Sequence, residues 1–250
     1  MALSVSGERA PLVLLHGLTF DRRQWEPLLR ELDVVDPVRQ TLALDLPGHG
    51  ESPRQDSYRT ADVAEFVHAK VREAGLADPV LVGHSVGAVI ATVYAARYPA
   101  RAVVNLDQPL LPGPFGAVVR AAEPVLRGPD WRQIWDRLLA GMGIESLPAD
   151  ARAIVETATD PRPDLLLGYW DEILHGSDEA IIAERRRDLT VIGERGIDYR
   201  WVTSSEPPAA YREWLTAALP TIDVTVLPGG HFPHLAHPAE LARMLADLPE

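Results

Sequence analysis

The hydrophobic residues of this chain are concentrated in short runs, unbroken at residues 11–15 and interrupted by polar residues in several others, and longer segments between the runs carry apolar residues at helical spacing. The runs lie at residues 11–15, 41–45, 79–82, 102–107, 198–204 and 223–227. Runs of this length are typical of strands that are buried on both faces. Strands that alternate with helices predict a parallel sheet with right-handed crossovers, so we expect an α/β fold with helices flanking the sheet.

Residues 108–189 have a different pattern of apolar residues. They show no strand pattern, and their apolar residues predict helices interrupted by proline, at residues 115–126, 131–142, 149–157, 165–174 and 178–187. The α/β pattern then resumes. We therefore expect a core formed by residues 1–107 and 190–250, with a helical lid of residues 108–189 inserted after the strand that ends at Asp107.

The central motif is Gly83-His84-Ser85-Val86-Gly87, which follows the run at 79–82 and precedes a helical pattern. In a strand–turn–helix of this type the serine backbone is strained and its hydroxyl is raised above the sheet edge. The small flanking residues let strand and helix approach closely, and the first helical amides face any oxyanion formed there. Ser85 is therefore a candidate nucleophile, and the alternative is a tight turn without chemistry.

A serine nucleophile needs a base, and the base needs a carboxylate that orients it. His231 follows the last strand and two glycines, at the sheet edge where ligands bind in such folds. Glu206 follows the penultimate strand and Asp107 ends the strand after the nucleophile helix, so either acid fits the order serine–acid–histidine. The sequence favours Glu206 and leaves Asp107 as the alternative. The amides of Leu18 and Val86 are the candidate oxyanion donors.

Seven further histidines are predicted to be structural, packing or solvated residues: His16, His49, His68, His84, His175, His234 and His237. In the lid, Trp131 and Trp135 lie four residues apart on one helix face and Trp170 lies on another helix. These tryptophans either pack the lid onto the core or wall an apolar substrate pocket above Ser85.

The composition and charge of the chain argue against several classes of function. The 250 residues carry a net charge of −12, which argues against a nucleic-acid or anionic-membrane partner. The absence of cysteine excludes disulfides, thiolate metal sites and a cysteine nucleophile. No metal-ligand cluster or nucleotide fingerprint occurs in the sequence, so we expect no metal and no cofactor. The first nine residues lack signal-peptide features and no apolar run could span a bilayer, which predicts a cytoplasmic protein.

The chain resembles the α/β-hydrolase fold family, specifically its lidded esterase and haloperoxidase-like branch. The motifs that carry the resemblance are residues 15–18, Trp25, residues 45–52, residues 83–87 and residues 230–235 with Pro238 beyond. The resemblance implies Ser85 as nucleophile, His231 as base, and Leu18 and Val86 as oxyanion donors. One departure is that residues 203–208 lack the glycine-then-aspartate loop common in the family, which keeps Asp107 open as the acid.

The residues and the resemblance together predict a serine hydrolase that cleaves an ester, thioester or lactone of a small, apolar substrate through an acyl-enzyme. Two alternatives stay open. The same site could hydrolyse a carbon–carbon bond or perform cofactor-free lyase or cyclase chemistry, or the fold could hold a small ligand without turnover. The sequence leaves the oligomeric state open.

Overall fold

The sheet that organises the molecule contains six parallel strands. The computed structural model describes residues 9–248. The strands are β1 (Leu12–Leu15), β2 (Thr41–Leu44), β3 (Val80–His84), β4 (Ala102–Leu106), β5 (Asp198–Thr203) and β6 (Asp223–Val226). Their order across the sheet is β2-β1-β3-β4-β5-β6, and each neighbouring pair is parallel. The predicted α/β-hydrolase fold class is confirmed.

Helices cover both faces of this sheet. They are α1 (Glu26–Val35), α2 (Thr60–Glu73), α3 (Val86–Arg97), α4 (Gly113–Leu126), α5 (Trp131–Ala140), α6 (Ala149–Thr157), α7 (Pro163–Tyr169), α8 (Asp171–His175), α9 (Asp178–Glu194), α10 (Ala209–Ala218), α11 (Pro233–Ala236) and α12 (Pro238–Ala246). Within residues 9–248, none of them is long and apolar enough to cross a membrane.

Successive side chains of each strand point to opposite faces of the sheet, which divides the core into two layers. In β1, Leu12 and Leu14 pack with residues of α1 and α12, whereas Val13 and Leu15 pack with residues of α2, α3 and α9. A strand that is covered on both faces is therefore apolar throughout. This is why β1 could be predicted from an unbroken apolar run.

The residues between β4 and β5, numbers 108–197, form what we call the β4–β5 segment. It contains α4 to α9 and a short 3₁₀ helix, Ile144–Ser146, and none of its residues belongs to the sheet. Its last helix, α9, extends beyond the predicted residue 187, and Leu189 and Ile192 pack into the core beside α3. The domain boundary predicted at residue 189 therefore lies inside a helix.

The parallel arrangement brings the carboxyl ends of the strands to one edge of the sheet. Ser85 follows β3 directly, Asp107 follows β4, and the loop after β6 leads to His231. Residues far apart in sequence thus meet above this edge, beneath the β4–β5 segment.

Candidate active site

The turn between β3 and α3 holds Ser85 in an uncommon backbone conformation. Its φ is +53° and its ψ is −125°, and its amide donates to the Leu106 carbonyl at 3.2 Å. A Cβ atom on Gly83 would collide with the backbone of Gly87, and one on Gly87 would collide with the Leu15 carbonyl. The two glycines are therefore required by close backbone packing, and this packing enforces the strained turn.

The carboxylate beside His231 belongs to Asp107. His231 Nδ1 donates to Asp107 Oδ2 at 2.9 Å, and the Ser204 amide donates to the other oxygen, Oδ1, at 2.7 Å. Asp107 is itself a non-glycine residue with positive φ, +52°, in the turn that ends β4. Two of the residues around the site thus adopt left-handed backbone conformations, which are uncommon for residues with a side chain.

Glu206, the acid that the sequence favoured, also lines the cavity described below, but the carboxylate that His231 Nδ1 contacts is that of Asp107. The Glu206 carboxylate is three-quarters exposed and accepts a hydrogen bond from Arg212 at 2.6 Å. The preference for Glu206 over Asp107 is therefore corrected by the geometry. The physical reason is that Glu206 lies three residues beyond the end of β5, where Pro207 and Pro208 lead into α10, and its side chain is directed to a cation on that helix.

The electrostatic setting keeps Asp107 ionised. Burial disfavours its charged form, but the hydrogen bonds from His231 and Ser204 and the charge of His231 outweigh burial, so that the pKa of Asp107 falls below its ordinary value. An ionised acceptor at Nδ1 fixes the imidazole with its Nε2 lone pair free for the opposite side. This arrangement suits a histidine that accepts a proton.

The buried histidines are committed to structural contacts. His16 and His49 each donate from Nδ1 to a loop carbonyl and accept an amide at Nε2, and the partners are Gly17 and Leu46 for His16 and Pro47 and Thr19 for His49. Burial lowers the pKa of His16 to about 4 and, together with the charge of His16, lowers the pKa of His49 to about 3. They hold the loops around the site together, as the sequence predicted.

His84 and His234 lie beneath the site and are fully buried. His84 Nε2 donates to the carbonyl of His231 at 2.7 Å, and burial lowers its pKa well below the ordinary value. Burial likewise lowers the pKa of His234 to about 3, and its ring packs on Trp25. Neither ring nitrogen of His234 has a hydrogen-bond partner within residues 9–248. No pattern in the sequence indicated that His84 supports the loop that carries His231.

The predicted oxyanion donors are the amide of Leu18, in the loop after β1, and the amide of Val86, at the start of α3. Val86 is the first residue of α3, and first-turn amides have no acceptor within their helix. Leu18 follows Gly17, which packs so tightly on His84 and Ser85 that a Cβ there would lie 2.7 Å from His84 Nδ1. Leu18 and Val86 both line the cavity that contains Ser85.

A cavity of about 970 Å³ lies between the sheet edge and the β4–β5 segment. Ser85, Asp107 and His231 line it, and its walls are mainly apolar. Trp135 and Trp170 line the cavity, whereas Trp131 does not and packs against the core instead. Trp131 is the first residue of α5, one turn from Trp135, so sharing a helix face did not bring both indoles to the same cavity.

The aromatic residues of the cavity wall that the sequence did not identify include Trp201 and Tyr211. The Tyr211 hydroxyl accepts from the Leu110 amide at 2.8 Å, and its ring meets that of Trp201 edge to face. Alternation along β5 could have revealed Trp201, because Thr203, two residues later, also lines the cavity. Tyr211 carries no comparable signal, since its helix packs on the sheet through long-range contacts.

Comparison with known proteins gives the family. A sequence profile described as the alpha/beta hydrolase family matches residues 12–244, which is nearly the whole chain. The chain belongs to the alpha/beta hydrolase family. The match runs from β1 to α12 and so includes every strand of the sheet and each of the residues around the cavity.

Individual relatives of this alpha/beta hydrolase differ in what they do. The chain is 31% identical over 181 residues to 2-succinyl-6-hydroxy-2,4-cyclohexadiene-1-carboxylate synthase of Salmonella paratyphi C, covering 72% of this chain and 60% of that protein. It is 36% identical over 101 residues to 2-(acetamidomethylene)succinate hydrolase of Mesorhizobium japonicum, covering 39% and 35%. The chain thus spans less than two thirds of the length of these curated relatives.

Among solved structures, the fold is similar to that of an AqdC variant, a protein described in recognition and ring-cleavage of the Pseudomonas quinolone signal. The TM-score is 0.77 with 20% sequence identity, covering 96% of this chain and 91% of that one. An identity this low shows a shared fold only. Within residues 9–248, no group of three or more histidine, aspartate or glutamate side chains is arranged to hold a metal ion in this alpha/beta hydrolase.

Proposed function

We propose that this alpha/beta hydrolase is a serine hydrolase that cleaves an ester, thioester or lactone of a small, apolar substrate through an acyl-enzyme. The observation that supports it most is the hydrogen bond from His231 Nδ1 to Asp107 Oδ2, on the wall of the same cavity as Ser85 in its strained turn. A base oriented by a carboxylate beside a raised serine is the arrangement that nucleophilic acyl transfer requires.

In the proposed mechanism, Ser85 Oγ attacks the substrate carbonyl while His231 Nε2 takes its proton. The amides of Leu18 and Val86 donate to the oxyanion that forms. His231 then gives the proton to the leaving group, which departs and leaves the acyl group on Ser85. A water molecule, deprotonated by His231, attacks the acyl carbonyl, and the acid product leaves as His231 returns the proton to Ser85 Oγ. Asp107 stays ionised throughout and orients the imidazole.

The cavity supports an apolar acyl or alcohol group of modest size. Its walls include Phe20, Leu138 and Met142 as well as three tryptophans, and a cavity of about 970 Å³ is at the upper end of the usual range for small-molecule sites. We propose that the β4–β5 segment acts as the lid over this cavity and that its apolar side chains select the substrate. Exclusion of water by such a cover strengthens the electrostatic interactions within the site.

A second candidate is carbon–carbon bond cleavage or lyase chemistry at the same residues. The Salmonella relative, which matches the larger part of this chain, is described as a synthase rather than an esterase. Ester hydrolysis and the second candidate would both use an activated serine or its base. The two candidates are therefore distinguished by the structure of the substrate, not by the residues that react.

The test is hydrolysis of p-nitrophenyl esters from acetate to decanoate by the wild-type protein and by the Ser85→Ala variant. We expect turnover that depends on Ser85 and peaks at one chain length. Labelling by a fluorophosphonate without turnover of any ester would instead favour the second candidate. A protein that neither turns over esters nor is labelled would refute an activated serine and favour ligand binding without catalysis.

A further inference from the structure

His231 is held through its backbone as well as its side chain. Its amide donates to the carbonyl of Met142 at 3.0 Å, and its carbonyl accepts from His84 Nε2 at 2.7 Å. His84 belongs to the rigid strand β3, whereas Met142 belongs to the β4–β5 segment, two residues beyond the end of α5. The histidine is therefore fixed from below by the sheet and from above by the segment that covers the cavity.

The contact with the covering segment is backbone against backbone. A Cβ atom on Gly143 would lie 3.2 Å from the Cα of Gly230, and one on Gly230 would lie 2.7 Å from the Met142 carbonyl. Both glycines have a φ of +75°, a conformation that residues with a side chain rarely adopt. The hydroxyl of Ser146 closes the turn by donating to the Gly143 carbonyl at 2.7 Å.

Other contacts anchor the β4–β5 segment away from the histidine. The Tyr169 hydroxyl donates to the Pro47 carbonyl at 3.0 Å, and the Glu172 carboxylate accepts from the Thr60 amide at 3.1 Å. Neither contact involves the loop of His231. The Met142–Gly143 turn is thus a separate docking point, and its loss leaves these anchors in place.

The loop that carries His231 has little stiffness of its own. Gly229 and Gly230 precede the histidine with φ values of +141° and +75°. Glycine permits many backbone conformations, so an undocked loop could move the imidazole. Reacting and supporting groups must be held within roughly 0.5 Å of the productive geometry, and a base that moves by 1 Å loses much of its effect.

We propose that the Met142–Gly143 turn is a positioning element for His231, so that catalysis depends on docking of this turn against the histidine loop. This inference rests on the proposed serine-hydrolase function. It assigns the β4–β5 segment a part in the chemistry itself, beyond forming the wall of the cavity.

The decisive variant is Gly143→Asn. Asparagine tolerates left-handed backbone better than other side chains, so this change adds a Cβ against Gly230 with little backbone strain. The matched control is Gly75→Asn after α2, because Gly75 has a φ of +70° and no described atom within 4 Å of a Cβ placed there. Circular dichroism and thermal unfolding verify that both variants fold.

Two readouts separate positioning from substrate binding. One is the kcat and KM for the best p-nitrophenyl ester, and the other is the rate at which a small fluorophosphonate labels Ser85. For Gly143→Asn we expect both kcat and the labelling rate to fall by about tenfold or more, with KM changed by less than about twofold. The Gly75→Asn variant should match the wild type in both.

A folded Gly143→Asn protein with wild-type kcat and labelling rate, or with a change in KM alone, would overturn the inference and leave the turn as a cavity wall. Should Gly143→Asn fail to fold, Ser146→Ala takes its place, since it removes only the exposed hydroxyl that closes the turn. We then expect a labelling rate reduced severalfold, and an unchanged rate refutes the inference. Failure of the wild type to be labelled at all would instead refute the proposed function.

Discussion

The two halves of the cavity above the sheet edge are built by different means. On the core side, Ser85 and Asp107 each follow a strand directly, and the sheet ladder fixes their positions. On the side of the β4–β5 segment, the wall is placed by single contacts between distant residues, such as Tyr169 with Pro47 and Arg162 with the Gly48 carbonyl. One half is determined by local backbone geometry and the other by long-range side-chain contacts.

This difference separates reactivity from specificity. Ser85 and Asp107, two of the three residues proposed to act in catalysis, lie on the rigid half, where a shift of one strand would disrupt the core. The groups proposed to select the substrate lie on the half that can change its contacts without disturbing the sheet. The Met142 carbonyl, which accepts from the His231 amide, is a point at which the second half reaches the first.

The sharpest way to test the core half is to remove each candidate acid in turn. We expect Asp107→Asn to lower kcat by about 10³- to 10⁴-fold, because the amide no longer stabilises the imidazolium or its tautomer. The matched variant Glu206→Gln keeps the size of this side chain at the cavity wall, removes its charge and its exposed ion pair with Arg212, and should change kcat by less than about threefold. Steady-state kinetics on the p-nitrophenyl esters measure both, and a reversed ranking would reinstate Glu206.

A second change tests whether backbone packing holds the serine turn. Gly87→Ala places a methyl group against the Leu15 carbonyl, and we expect it to lower the free energy of unfolding by about 3 kcal/mol or more. In the control variant Gly128→Ala, the added Cβ would lie 3.5 Å from its nearest described contact, the Val125 carbonyl oxygen. This variant should change the free energy of unfolding by less than about 1 kcal/mol. Urea unfolding provides the comparison, and equal effects of the two substitutions would contradict the packing argument.

The buried histidines beneath the site predict how stability depends on pH. Their folded pKa values lie below the unfolded value of about 6.5, at about 4 for His16 and about 3 for His49 and His234. Below pH 6.5 the unfolded chain binds protons that the folded protein does not, so stability falls as pH drops. The pKa of Asp107 is lowered on folding, so protonation of this group reduces stability only below its unfolded pKa of about 3.9. Asp107 therefore does not contribute to the pH dependence that the histidines cause above that value.

The variant His234→Phe isolates the contribution of His234 to this pH dependence. The substitution breaks no described hydrogen bond, because the ring nitrogens of His234 have no hydrogen-bond partner within residues 9–248. We expect the loss of unfolding free energy between pH 7 and pH 5 to shrink by on the order of 2 kcal/mol in the variant. Urea unfolding at the two pH values measures it. A pH dependence equal to that of the wild type would show that burial does not suppress protonation of His234.

The smallest expected effect concerns the covering half. Trp170→Leu enlarges the cavity, so we expect the preferred ester chain to lengthen and kcat/KM for the longer esters to rise by up to about tenfold. Trp131→Leu alters a tryptophan outside the cavity and should leave the preferred length unchanged. The same shift in both variants would mean that the change acts through stability rather than through the cavity wall.

Much of the core half could be predicted from sequence because it depends on short-range patterns. Runs rich in apolar residues, unbroken in β1 but interrupted by polar residues in β5 and β6, indicated all six strands. The spacing of Gly83, Ser85 and Gly87 indicated the turn with its close packing. The position of His231 followed from the end of β6. In each case the feature and its cause lie within a few residues of each other.

The remainder depends on contacts that no local pattern encodes. Asp107 and Glu206 follow adjacent strands and are equivalent in sequence order, and only the path of each loop decides which carboxylate meets His231. The contact of Met142 with the His231 amide joins backbone groups 89 residues apart, so side-chain identity carries no signal of it. For the same reason Trp131 and Trp135 could not be separated by helical spacing alone.

The central claim is that His231 and Asp107 activate Ser85, and the most direct measurement is the site and rate of labelling by a small fluorophosphonate, followed by intact-mass and peptide mass spectrometry. We predict a single adduct on Ser85 that is absent in Ser85→Ala, strongly slowed in His231→Gln and Asp107→Asn, and unaffected in Glu206→Gln. Labelling that persists in Ser85→Ala, or that proceeds at the wild-type rate in Asp107→Asn, would contradict the claim.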